Sequence, residues 1–164
     1  MTGAPESLSI RPATADDGPF LARLDADRRA GDLGSLPGPA AQVATLLEIQ
    51  HRAREQGYAA AFPGARHSLA LIDGEPVGRS LVDEGADRYL IVDLAVLTGH
   101  RRRGIGAALV GEVLDRAGAA RTPVRIHAAA HDDGLVAWYG RLGFAVTGAG
   151  VPDVEMTWEP DRVG

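Results

Sequence analysis

Cysteine and lysine are both absent from the 164-residue chain. Without cysteine there can be no disulfide, no thiolate metal site and no acyl-cysteine intermediate, which is compatible with the cytoplasm, the location we expect. Without lysine, neither a Schiff-base lysine nor the lysine of a nucleotide-binding P-loop is available. No run approaches the roughly 18 apolar residues of a membrane span. Residues 1–9 also lack the apolar segment of a signal peptide, so a membrane partner is not expected.

The overall composition is that of an ordinary globular domain, with 45% hydrophobic and 24% charged residues. The length predicts one domain over residues 1–164. The formal net charge is −5 and neither end carries a basic arm, so nucleic acid is not expected as a partner. One local exception is the basic run at residues 100–103, which in an acidic protein points to a compact anionic ligand.

Hydrophobic periodicity predicts the element order β-α-α-β-β-β-α-β-α-β-β, a mixed α/β domain. A capping box from Thr14 to Asp17 opens the first helix, and Asp73-Gly74 marks a hairpin turn. Glycines at 57, 118 and 143 are placed to end the second, third and fourth helices. The predicted strands span residues 8–12, 68–72, 76–82, 89–96, 124–128, 144–147 and 154–158, and residues 31–39 are predicted to form a loop.

A basic turn with two glycines joins the long apolar strand at 89–96 to the helix that follows. Unpaired amides at a helix N-terminus and glycines without a Cβ favour a bound diphosphate at this point. A P-loop is excluded by the missing lysine, and a Rossmann fingerprint fails because residue 109 is leucine and no suitably spaced acidic residue follows. The pattern Arg/Gln-x-x-Gly-x-Gly/Ala is satisfied by Arg101, Gly104 and Gly106.

These residues resemble the central motif of the GNAT family, the Gcn5-related N-acetyltransferases. The segment from Asp132 through Leu135 and Tyr139 to Phe144 is similar to the family's Asn-x-x-Ala-x-x-Phe-Tyr-x-x-x-Gly-Phe, with aspartate and leucine replacing the usual asparagine and alanine. Residues 46–79 resemble a bacterial subgroup of the family with no named acceptor. The resemblance implies the GNAT acyl-CoA N-acyltransferase fold, an α+β arrangement with a mixed, mostly antiparallel sheet flanked by helices.

The resemblance also implies acetyl-coenzyme A as cosubstrate and a set of residues that bind it. The backbone of residues 94–96 is expected to bond the thioester carbonyl and the pantetheine amides, and the turn and first helical residues are expected to cradle the pyrophosphate. The expected cofactor-binding residues are Leu94, Ala95, Val96, Arg101, Arg102, Arg103, Gly104, Ile105, Gly106, Ala107, Asp132 and Tyr139.

For catalysis, the resemblance makes Tyr139 the general acid that protonates the departing thiolate, a role suited to a phenol protonated at neutral pH. The spacing of its apolar neighbours is equally compatible with a core tyrosine. Asp93 is the candidate general base or substrate anchor, with a structural role as the alternative, and His127 is a second candidate acting through water. His51 and His67 with Asp73 show no metal-ligand spacing, so no metal is expected.

The leading hypothesis is therefore an acetyl-CoA-dependent N-acetyltransferase in which the amine attacks the thioester directly in a ternary complex, because no cysteine can carry the acyl group. The alternative is a non-catalytic acyl-CoA sensor of the same fold; a kinase or dehydrogenase is disfavoured. Glu48, Gln50 and Tyr58 could line the acceptor pocket, and the acids Glu48, Asp93 and Asp132 suit a cationic amine of a small molecule or peptide. The final strands could pair in a homodimer.

Overall fold

The computed structural model describes residues 7–33 and 38–161. These residues form seven strands and four helices in the predicted order. The strands are β1 (Leu8–Pro12), β2 (Arg66–Ile72), β3 (Glu75–Glu84), β4 (Tyr89–Val96), β5 (Val124–Ala129), β6 (Ala145–Gly148) and β7 (Asp153–Trp158). The helices are α1 (Gly18–Leu33), α2 (Ala40–Ala61), α3 (Ile105–Ala119) and α4 (Asp133–Arg141).

All seven strands belong to one sheet, in the order β1-β2-β3-β4-β5-β7-β6. Every neighbouring pair is antiparallel except β4 and β5, which are parallel and joined by α3. The predicted fold class, a mostly antiparallel mixed sheet flanked by helices, is confirmed. Of the two final strands proposed for dimer pairing, β6 lies at the sheet edge, whereas β7 lies between β5 and β6.

The predicted start of the first helix and the predicted end of the fourth at Gly143 agree with the structure, whereas two other predicted helix ends do not. Thr14 and Asp17 form the expected capping box, which opens a 3-10 turn that leads into α1. The predicted stop at Gly57 is wrong, because α2 continues to Ala61; a glycine weakens a helix by about 1 kcal/mol but ends it only where the backbone leaves the helical region. The stop at Gly118 is also wrong, since α3 includes it and Arg121 takes the left-handed conformation instead. Residues 31–33 of the predicted loop are helical, and residues 34–37 lie outside the described part.

The two faces of the sheet are covered by different helices. On one face, buried residues of α3 and α4 pack against β4, β5 and β7 in a single cluster that includes Val110, Val113, Tyr139 and Met156. On the other face, Phe20 and Leu24 of α1 pack against β2 and β4. No residue of α2 is buried, so this helix covers the sheet without entering its core.

A bulge in β4 positions the site. Leu81 of β3 pairs with Asp93 and Val82 pairs with Ile91, so Val92 is an extra residue in β4. Bulges bend a strand and increase its twist. On its other side, β4 pairs with β5 only through Tyr89 and Leu90. From Ile91 onward the two parallel strands therefore diverge and leave a wedge between them.

In the described ranges, no helix is long and apolar enough to cross a membrane.

Candidate active site

A cleft of about 750 Å³ occupies the wedge at the end of β4 and continues along the first turn of α3. It lies between the two strands that diverge and the helix that connects them. Its walls come from α1, β4, the turn after β4, α3, β5 and α4. The lining residues are Arg28, Leu94, Ala95, Val96, His100, Arg101, Arg102, Gly104, Ile105, Gly106, Ala107, Ala129, Asp132, Leu135 and Trp138.

The turn into α3 leaves a set of amides unpaired at the cleft. Gly104 caps the helix with φ of 78°, a left-handed conformation that favours glycine. The first intrahelical hydrogen bond runs from the Ala108 amide to the Gly104 carbonyl, 3.0 Å. The amides of residues 105–107 therefore precede the helix's own hydrogen bonding and remain available to an anion, which the helix dipole also favours.

Gly106 also has a packing role that its motif does not predict. A Cβ at this position would lie 3.3 Å from Cζ2 of Trp138, so the absence of a side chain allows the indole to pack against the first turn of α3. Trp138 then forms a wall of the cleft. By contrast, a Cβ at Gly104 would meet nothing within 4 Å, and that glycine is required by its backbone conformation alone.

Basic groups surround the turn. The Arg101 Nε donates to the carbonyl of Val96 at 3.3 Å, which holds the arginine against the end of β4. His100 lines the same cleft, and its Nδ1 is buried without a hydrogen-bond partner among the described residues. Arg102 adopts a left-handed backbone conformation with φ of 62°. A cradle of free amides, two arginines and an unpaired histidine nitrogen fits a diphosphate.

Most of the residues expected to bind the cofactor lie together here. Ten of the twelve line the cleft; Arg103 and Tyr139 do not. Asp132 also caps α4, where its carboxylate accepts a hydrogen bond from the Leu135 amide at 2.9 Å. Their roles in binding stay a prediction. Sequence reasoning missed Ala129, Leu135 and Trp138, and it missed Arg28, which reaches the cleft from a helix that no local motif connects to it.

Tyr139 lies beneath the cleft wall, with only 6% of its surface exposed. Its ring makes edge-to-face contacts with Trp138 and Phe144, at centroid distances of 4.8 and 5.4 Å. Burial, together with the negative charge of Asp93, raises the pKa of the phenol to about 12. Among residues 7–33 and 38–161 the hydroxyl has no hydrogen-bond partner. The tyrosine is thus both a core residue and a phenol that is fully protonated at neutral pH.

Asp93 lies on the face of β4 that α1 covers, and two arginines hold its carboxylate. Arg79 Nε donates to Oδ2 at 2.7 Å, and Arg28 Nη2 lies 3.0 and 3.1 Å from the two carboxylate oxygens. These guanidinium groups keep the pKa of Asp93 below its ordinary value despite its burial, which acts in the opposite direction. A carboxylate of lowered pKa is a weak proton acceptor. The geometry therefore favours a role for Asp93 in holding Arg28 and Arg79 over general base catalysis.

Asp93 belongs to a larger ion network between α1, α2 and the sheet. Arg79, whose side chain is 4% exposed, also pairs with Glu55 at 2.7 Å and lies 5.6 Å from the centroid of the Tyr58 ring. Asp25 lies 2.9 Å from Arg54 and 3.2 Å from His51. Gln50, a predicted acceptor-pocket residue, accepts a hydrogen bond from Arg29.

The three acids that were expected to suit a cationic amine already have partners in the structure. Glu48 is 57% exposed and pairs with Arg52 on the outer surface of α2, Asp132 caps α4, and Asp93 is neutralised by two arginines. His127 lies exposed on β5, opposite Glu155 of β7. Within the described ranges, no group of three or more potential ligand side chains is placed to hold a metal ion.

The comparisons with known proteins identify the family. Residues 39–144, more than half of the chain, match the model of the Acetyltransferase (GNAT) family. The chain therefore belongs to this family, and the resemblance read from the sequence is confirmed. Acetyl-CoA is the cosubstrate of the family, and the cleft described above has the free amides and basic groups that its diphosphate requires.

Individual relatives agree with this assignment. Mycothiol acetyltransferase of Actinosynnema mirum is 37% identical over 82 residues, which is 49% of this chain and 28% of that protein; the chain thus matches less than a third of this curated relative. The PaiA N-acetyltransferase of Thermoplasma acidophilum, solved with coenzyme A, superposes with a TM-score of 0.72 at 14% identity, covering 93% of this chain and 99% of that one. A Corynebacterium glutamicum structure, described as histone acetyltransferase HPA2 and related acetyltransferase, gives 0.66 at 25% identity, covering 95% and 98%.

Proposed function

We propose that this protein transfers the acetyl group of acetyl-CoA to a primary amine by direct attack in a ternary complex. The observation that carries the proposal is the cleft itself, in which a wedge between β4 and β5 meets the free amides at the start of α3. The thioester supplies an activated acetyl group when acetyl-CoA is bound. The chain's own residues would bind and orient acetyl-CoA and supply a proton to the leaving sulfur.

The diphosphate would be held by the turn after β4. The amides of Ile105, Gly106 and Ala107, with Arg101 and Arg102, supply donors and positive charge at this point. The backbone of Leu94–Val96, which lacks a β5 partner, would orient the acyl end of the cosubstrate. This arrangement supports the proposed binding residues, with Asp132 fixing the start of α4 at the cleft's edge.

Tyr139 would serve as the general acid. Its phenol is protonated at neutral pH and its hydroxyl is free of a competing partner, as proton donation requires. The phenol would pass its proton to the leaving sulfur as negative charge develops there, and solvent would return a proton to the phenol, since its raised pKa disfavours the ionised state. Asp93 would contribute by holding Arg28 and Arg79 in place. The amine would lose its proton to solvent or, through water, to His127.

Two measurements test this proposal. Acetyl-CoA at about 100 times its dissociation constant should raise the melting temperature by about 5–11 °C, whereas ATP and NAD at equal excess should not. Release of free thiol in the presence of an amine panel then separates an enzyme from a sensor, and a thiol reagent gives no background because the chain has no cysteine. Binding without thiol release from any amine would indicate the sensor, and no binding would refute both.

A further inference from the structure

Arg28 of α1 borders both the cofactor cleft and the ion network. It lines the cleft beside Leu94, Ala95 and Val96, the stretch where the acyl group is proposed to lie. It also lines the small cavity formed with Asp93, Arg79 and Glu55. Its side chain is 27% exposed, against 4% for Arg79. Arg28 is thus the part of the network that an acceptor in the cleft can touch.

Asp93 holds the guanidinium of Arg28 in place but engages only some of its N–H donors. A single nitrogen, Nη2, donates to both oxygens of Asp93. Within the described residues, no hydrogen bond engages Nη1 or Nε. A guanidinium carries five N–H donors in a planar fork, so three remain available after the two of Nη2 are assigned to Asp93. Asp93 therefore presents Arg28 to the cleft as a preorganised donor.

The charge around Arg28 favours an anion rather than a cation. The described network contains four arginines, Arg28, Arg29, Arg54 and Arg79, and three carboxylates, Asp25, Glu55 and Asp93. Each of these carboxylates is already paired with at least one arginine. A cationic group entering from the cleft would find no free acid in this network, whereas a carboxylate would find the unused donors of Arg28.

We propose that the acceptor is an amine carrying a carboxylate within a few atoms of the nitrogen, as in an α-amino acid, and that Arg28 binds this carboxylate. The inference rests on the proposed acetyl transfer and specifies its substrate class. In an α-amino acid the amine and carboxylate share one carbon. A carboxylate bound at Arg28 therefore keeps the amine at the end of β4, next to the backbone that would orient the acetyl group.

The test compares each common α-amino acid with its own α-carboxamide, using thiol release from acetyl-CoA at pH 8. The two members of a pair differ only at the carboxyl group. The amine of the carboxamide is less basic and more of it is unprotonated, which biases the assay against the proposal. For at least one side chain, we expect kcat/KM for the acid to exceed that for the carboxamide by about 100-fold.

Variants of Arg28 locate the effect. Arg28→Gln should raise KM for the acid about 10–100-fold and lower the acid-to-carboxamide ratio of kcat/KM by the same factor, and Arg28→Lys should recover part of the loss. Arg52→Gln, on the outer surface of α2, should match wild type. Equal rates within every pair, or faster reaction of carboxamides, would overturn the carboxylate assignment, even if no Arg28 variant folds. Absence of acetyl-CoA binding and of thiol release with any amine would instead refute the proposed function.

Discussion

Replacing Tyr139 with phenylalanine removes the phenolic proton and leaves the ring in place. The edge-to-face contacts with Trp138 and Phe144 involve only the ring, so they are retained. Because the hydroxyl makes no hydrogen bond within the described residues, the variant should change the free energy of unfolding by less than about 1 kcal/mol. Any large effect on rate is then chemical rather than structural.

The expected loss of turnover is about 10²–10⁴, the usual contribution of a general acid. This corresponds to about 2.7–5.4 kcal/mol of the activation barrier. Acetyl-CoA affinity should stay within a few-fold of wild type, since the substitution keeps the ring and its contacts with Trp138 and Phe144. Thiol release under saturating acetyl-CoA and amine measures the first quantity, and calorimetric titration measures the second.

A matched control is Tyr89→Phe, which removes the hydroxyl of a tyrosine at the opposite end of β4 from the cleft. This variant should turn over like wild type. If Tyr139→Phe also retains full turnover, Tyr139 is a core residue only, and the proton must come from water. If Tyr139→Phe loses acetyl-CoA binding, the hydroxyl contributes to cofactor binding and the assignment of a general acid is unsupported.

Three further predictions concern pH, ion pairing and packing. With a Tyr139 pKa raised to about 12, the phenol stays protonated as pH rises, so kcat should show no basic limb below about pH 10; a limb near pH 8 would refute its role. Asp93→Asn leaves the buried Arg79 guanidinium with less compensating negative charge and should lower the free energy of unfolding by about 3–5 kcal/mol at pH 7. Because folding lowers the pKa of Asp93, its stabilising contribution exists above about pH 4 and is lost as pH falls further. Urea unfolding should therefore show a smaller difference in stability between wild type and Asp93→Asn at pH 3 than at pH 7. Gly78→Ala places a Cβ 2.9 Å from the Ala95 carbonyl oxygen and should destabilise the protein by about 1–3 kcal/mol. Its control is Gly57→Ala, where a Cβ would meet nothing within 4 Å, and this variant should stabilise the protein by about 0.5–1 kcal/mol. Equal shifts of the two melting temperatures would contradict the contact at Gly78.

The strand pattern and the glycine turn could be predicted from the sequence because each depends on neighbouring residues. The apolar run at 89–96 and the motif at Arg101, Gly104 and Gly106 are local signals of a buried strand followed by an anion-binding helix start. The packing role of Gly106 could not be predicted in this way. It arises from the indole of Trp138, which is 32 positions later in the chain.

The acceptor side was the least predictable part. Counting acids suggested a cationic amine, but the charge of a site depends on which acids are paired after folding. Asp93 is 65 positions from Arg28 and 14 from Arg79, and no periodicity links the three. The bulge at Val92, which sets where β4 leaves β5, is likewise invisible in an unbroken apolar run.

The most direct test of the central claim is a calorimetric titration of acetyl-CoA into wild type, Ala107→Asp and Ala40→Asp. Each substitution places a carboxylate in the first turn of a helix, where it favours folding, but only Ala107 lines the cleft. A negative charge beside the proposed diphosphate should weaken binding by at least about tenfold in Ala107→Asp, while Ala40→Asp binds like wild type. Equal affinity in all three proteins would contradict a diphosphate site at the start of α3.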